Sequence, residues 1–182
     1  MADPVTVAEA MFHLRIEPIG DDDPDAQAAQ ESAIARHVAT ATGRVEALTG
    51  LTLTPRAVTV AIDRLAHPTR LRVWPIAAGA QPTVSYRDVD GTDRTVAGAT
   101  VRADVRPAML YAPANDGWPS AGSIEGDVSV TIAAGYATPA AVPAELKSAI
   151  LVLVEGLYDA AKMEAAEKAA VSLARRYRRW GR

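Results

Sequence analysis

The chain has no cysteine among its 182 residues, which excludes disulfides, thiolate metal sites and cysteine nucleophiles and leaves the redox compartment open. Aromatic residues are scarce as well: one Phe, three Trp and five Tyr. A stacking platform for sugars or bases is not expected from so few rings. Ala, Val and Leu must fill most of the core, which suits closely packed helices and small strands. No long apolar run is present. The most apolar stretch, Ser148 to Val154, is far shorter than the roughly 20 residues needed to cross a bilayer. The beginning, MADPVTVAEAMF, is acidic and lacks the basic region and apolar segment of a secretion signal. A soluble protein with no membrane partner, kept in the compartment where it is made, is therefore expected.

Catalytic signatures are missing too. There is no GxxxxGK[ST] or GxGxxG phosphate cradle and no GxSxG nucleophile elbow. His13, His37 and His67 lie in three different segments, none with a second histidine at helical spacing, so no metal site and no cofactor is expected. The acidic run Asp21 to Asp25 lacks the alternating oxygen ligands of a calcium loop. Its place before a helix explains the acids more simply, because carboxylates there complement the helix dipole. The residues thus point to a protein without catalytic activity.

What is present is apolar periodicity and an uneven distribution of charge. Thr6 to Leu14 reads as a short helix with Val7, Ala10, Met11 and Leu14 on one side. A longer helix is predicted over 24–49: Asp23 as N-cap, Pro24 at the first position, an apolar stripe of Ile34, Val38, Ala41, Val45 and Leu48, and Gly50 as the stop. From Leu51 the period changes to two. Val58, Val60 and Ile62 mark a strand, and Leu71 to Trp74 a short second one ended by Pro75. Thr83 to Arg87 and Arg94 to Val96 flank the turn dipeptide Asp90-Gly91. Further strands are expected at 100–103, 108–111 and 127–133, with residues 113–127 as a loop. Beyond Pro143 the helical period returns, with a central buried helix followed by a second stripe of Ala166, Ala170, Leu173, Tyr177 and Trp180. No Gly or Pro forces a break between them. The fold class is α+β: a mainly helical core (24–49 and 143–180) with a small antiparallel β region between.

The net charge is only -3, but residues 1–31 carry eight acids against one arginine, and the last eighteen residues carry six bases against one acid. The terminus ARRYRRWGR concentrates Arg175, Arg176, Tyr177, Arg178, Arg179 and Trp180, combining charge, planar donors and stacking faces. Three readings compete for it: contact with DNA phosphates, docking as an Arg- and aromatic-anchored segment on a protein, and a solvated helix end complementing the dipole.

The order of these segments resembles the head–tail connector (adaptor) family of long-tailed phages and gene transfer agents. The resemblance rests on AEAMFHLRI leading through DDDPD to VEALTGLTL, then LRVWPIAAGAQPTVSYRDVDG, then DGWP at 116–119. It ends in VSVTIAAGYATPAAVPAELKSAILVLVEGLYD and RRYRR. It spans about residues 7 to 178, each motif weak alone and the collinear order carrying the likeness. The Ala-rich stretch 160–172 departs from the family pattern. The resemblance implies a single connector domain: N-terminal helices over 1–50, a β-rich region over 51–135, a core helix over 136–163 and a basic docking segment over 164–182. It further implies a homo-oligomeric ring, twelve-fold to match a portal protein, at the head–tail junction of a particle assembled in the host cytoplasm. The C-terminal segment would dock on the portal, the β region would face the tail or stopper (head-completion) protein, and DNA would pass non-specifically through the channel. The competing class is a sequence-independent DNA-binding module that uses the basic terminus.

Overall fold

The computed structural model describes residues 3–19, 23–120 and 124–178, which form an α+β fold of four α-helices and seven strands. The chain divides into two compact units, one of Met1–Thr54 with Thr138–Arg182 and one of Pro55–Ala137.

The first unit is helical. Helix α1 (Val7–Leu14) starts at a capping box: the Thr6 hydroxyl accepts from the Glu9 amide at 3.1 Å while the Glu9 carboxylate accepts from the Thr6 amide at 2.7 Å. Helix α2 (Pro24–Thr49) begins as its sequence predicts, with the Asp23 carboxylate accepting from the Ala26 amide at 3.0 Å and Pro24 in the first turn. It ends on Gly50. Its stripe of Ile34, Val38, Ala41 and Val45 is buried. The segment VEALTGLTL then proves to be a pinned exit from the helix. Glu46 accepts from the Leu53 amide at 2.6 Å, the Thr49 hydroxyl donates to the Val45 carbonyl, and Leu51 and Leu53 are buried.

Helix α3 (Ala144–Tyr158) is the central helix expected, packed against α1, α2 and α4 (Met163–Ala174). Leu146, Ala149, Ile150, Leu153 and Val154 are all buried, and fully burying a Leu, Ile or Val side chain contributes about 1.5–3 kcal/mol. The helices do not continue into one another. Asp159 leaves the helical conformation and its carboxylate accepts from the Ala161 amide at 3.1 Å, capping a 3-10 turn at Ala160–Lys162. An Asp competes with the helix for its own backbone in this way, so the break needs neither Gly nor Pro. Helix α4 returns antiparallel along α3 at very close range. A Cβ added at Gly156 would lie 2.8 Å from the Ala166 Cβ, so glycine is what permits the approach. Arg44 of α2 pairs with Glu167 of α4 at 3.0 Å on the surface of this bundle.

The second unit holds two antiparallel sheets around one apolar core. Strands β1 (Arg56–Ile62), β7 (Ile124–Ala134), β3 (Thr83–Asp88) and β4 (Asp93–Val96) form the larger in the order β1-β7-β3-β4. Register places Val60, Val130, Val84 and Val96 in one row across it. Strands β2 (Thr69–Leu71), β6 (Ala108–Tyr111) and β5 (Thr100–Arg102) form the smaller. The β3–β4 hairpin turns at Asp90-Gly91 as expected, with Gly91 at φ 77°, a conformation that favours glycine.

Two strands differ from expectation by more than one residue. The strand foreseen at 71–74 lies at Thr69–Leu71, because Leu71 pairs with Ala108 and the next partner, Pro107, has no N–H to give. The loop foreseen over 113–127 ends earlier, since β7 starts at Ile124, which pairs with Asp88 beyond a shift in the β3–β7 register between Ser85 and Arg87. The loop itself is tied down by Trp118 of DGWP, whose indole N–H donates to the Ala66 carbonyl at 2.7 Å.

Candidate functional site

The basic terminus is carried by α4, and the α-helix stops at Ala174 rather than running to 180 as expected. A 3-10 turn at Arg175–Tyr177 follows, and Arg178 is extended. Ala166, Ala170 and Ala174 are buried, and Tyr177 in the 3-10 turn is half-buried. Arg179 and Trp180 lie outside the described residues.

Of the described candidates, the structure brings Arg176 and Tyr177 together on a residue not singled out from the sequence, Glu145 in the first turn of α3. The Arg176 Nη2 pairs with Glu145 Oε1 at 2.9 Å, and the Tyr177 hydroxyl donates to Glu145 Oε2 at 2.8 Å. The Arg176 Nη2 also lies 2.8 Å from the Tyr177 oxygen, with its guanidinium carbon 4.9 Å from the ring centroid. The Glu145 carboxyl is held below the usual carboxylate range, first by its own backbone N–H, then by the Tyr177 hydroxyl and the Arg176 charge. Arg176 is shifted upward by the same set, with the Tyr177 bond leading. Arg175 and Arg178 are exposed and make no ion pair among the described residues. The only sequence signal for Glu145 was its place at a helix start, and 32 residues separate it from Tyr177.

A second feature of the helical unit is a groove of about 830 Å³ between α1 and α3, lined by Val5, Phe12, Ile16, Pro18 and Leu151 with Glu9 and Lys147 at its edge. Phe12, the single phenylalanine of the chain, is 87% exposed on its wall. His13 reaches to 3.7 Å from Glu155 at one end, and Lys162 holds the Glu155 carboxyl below its ordinary range. His37 and His67 lie elsewhere, and no group of three or more His, Asp or Glu among the described residues is arranged to hold a metal. Asp23 serves as a helix cap, as its position before α2 suggests.

No family model matches the sequence, and no curated protein matches it. Solved structures do. A chain in the neck of an empty GTA particle computed with C6 symmetry superposes with a TM-score of 0.72 at 22% identity, over 98% of this chain and 91% of that one. A chain in the virion of a native gene transfer agent (GTA) particle gives 0.72 at 23% identity, covering 100% and 94%. A third, in the neck of a native GTA particle computed with C12 symmetry, gives 0.63 at 23% identity over 82% and 84%. The chain therefore has a fold that is built into the neck and the virion of gene transfer agent particles.

Proposed function

We propose that this protein is a non-catalytic head–tail connector (adaptor) subunit. It assembles into a homo-oligomeric ring, a dodecamer, between the portal protein and the tail or stopper protein of a virus-like particle, with DNA passing through the channel. The observation that carries the reading is the match of the fold over nearly the whole length of both chains to a component of a particle neck. On this reading residues 1–182 act as one connector domain at the head–tail junction. The helical unit forms the ring body, residues 51–135 face the tail side, and 164–182 dock on the portal. A ring needs complementary surfaces on each subunit. The open α1/α3 groove with Phe12 on its wall supports such contacts, since exposed apolar patches mark interaction sites. Arg and Tyr in the terminal segment are residue types that anchor protein interfaces.

Electron microscopy of the purified protein mixed with the portal protein of its own particle tests the reading. A ring seated on the portal is expected, and loss of seating on deletion of 174–182. No ring and no portal complex at micromolar concentrations would refute it. A second reading, sequence-independent DNA binding, is favoured by the two arginines left outward, Arg175 and Arg178. It expects duplex DNA binding by the isolated protein that weakens steeply with salt, and portal docking unaffected by the deletion.

A further inference from the structure

We infer that Glu145 is a clasp for the C-terminal segment, and that the segment becomes available for docking only when that clasp opens. The second half of this inference rests on the docking reading; the first does not.

The geometry joins three groups. One carboxylate spends an oxygen on each of Arg176 and Tyr177, and those two side chains also meet each other. One arginine and the tyrosine of the described part of the segment are thus engaged within the same chain. A carboxylate or phosphate on a partner that binds Arg176 through Nη2 would displace Glu145 from it, so clasped and docked states compete for that nitrogen. The hinge is equally local. Ala170 and Ala174 are buried up to the end of α4, and the backbone leaves the α-helix only at Arg175–Tyr177. Opening therefore moves the terminus without disturbing the bundle.

The clasp is also built to let go. Glu145 sits in the first turn of α3, where its own backbone N–H and the helix dipole support its charge after the partners leave. Arg176 is 69% exposed and Glu145 38% exposed, so water competes for the contact and the closed state is favoured only several-fold. A docking affinity read on the free subunit is reduced by the fraction of open segments. The clasp is a graded brake rather than a lock.

The test uses the full chain as wild type, Glu145→Ala, Glu145→Gln and Arg175→Glu/Arg178→Glu. Two readouts are taken: the rate of trypsin cleavage after Arg175, Arg176 or Arg178, and affinity for the portal protein. Thermal melting checks that each variant keeps its fold. Glu145→Ala is expected to raise the cleavage rate and the portal affinity, each by about 3- to 5-fold, with Glu145→Gln intermediate. An unchanged cleavage rate overturns the clasp. Faster cleavage without tighter binding overturns its role as a brake. In that case the charge-reversal pair locates the fault. Unchanged portal affinity in Arg175→Glu/Arg178→Glu means that the docking reading failed, whereas weakened affinity means that docking stands and the brake does not.

Discussion

Gly156 lies inside α3, where an isolated-helix rule would favour alanine by about 1 kcal/mol. The structure reverses that expectation. A Cβ at this position would sit 2.8 Å from the Ala166 Cβ and 3.1 Å from the Met163 Cα, while the Met163 sulfur at 3.4 Å can move aside. Carbon atoms pack at about 3.5–4.0 Å, so α3 and α4 would have to part by roughly half an ångström or more. The two obstructing atoms belong to a helix backbone and to the stub of an alanine, which no rotamer change can relocate. Overpacking of this kind costs about 1–3 kcal/mol. Set against the propensity gain, Gly156→Ala is expected to destabilise the protein by about 1 kcal/mol, and Gly156→Val by clearly more. Urea unfolding of Gly156→Ala, Ala166→Gly and the double variant measures this directly. The double variant removes the 2.8 Å contact, so the two changes should be non-additive, with a coupling of about 1 kcal/mol in the favourable direction. Stabilisation by Gly156→Ala alone, or an additive cycle, would refute the close-contact reasoning.

Three further outcomes are expected. Ile150→Ala, at a fully buried position of α3, should lower unfolding stability by about 2–5 kcal/mol, and a loss under about 1 kcal/mol would contradict its place in the core. Thr6→Ala removes one half of the α1 capping box and should cost about 1 kcal/mol, seen as faster amide hydrogen exchange at Glu9; unchanged exchange would count against the cap. The Glu145 carboxyl is lowered from its ordinary 4.5, so its contribution is fully present above that pH and is lost as pH falls through the lowered value. A carbon-detected NMR titration should place its midpoint below 4.5, and Tyr177→Phe should move it upward. A midpoint at or above 4.5 would show that the Tyr177 and Arg176 contacts are not made in solution.

Local chemistry made much of the molecule legible without coordinates. Helix α2 carries all its instructions within 28 residues: Asp23 and Pro24 to start, a 3.6-residue apolar stripe to bury, Gly50 to stop. The β3–β4 hairpin was equally readable, since a two-residue alternation and Asp90-Gly91 define each other's position. The capping box was within reach as well, because Thr6 and Glu9 stand at the required spacing. In each case the interacting groups lie within a turn or two of one another, and short-range rules apply.

The features decided elsewhere join residues far apart in the chain. Strand β2 stops at Leu71 because of a proline 36 residues away, across the sheet. Strand β7 begins inside a Gly- and Asp-containing stretch because β3 offers a partner there. The helical break at Asp159 became a tight antiparallel pair only because Gly156 and Ala166 are small at the point of contact. That pairing in turn carries Arg176 and Tyr177 back to Glu145, which is why the candidate docking residues could be named from composition while their restraint could not. Periodicity and capping are properties of neighbours along the chain; the clasp is a property of two helices packed side by side, and packing is settled only by the whole helical unit.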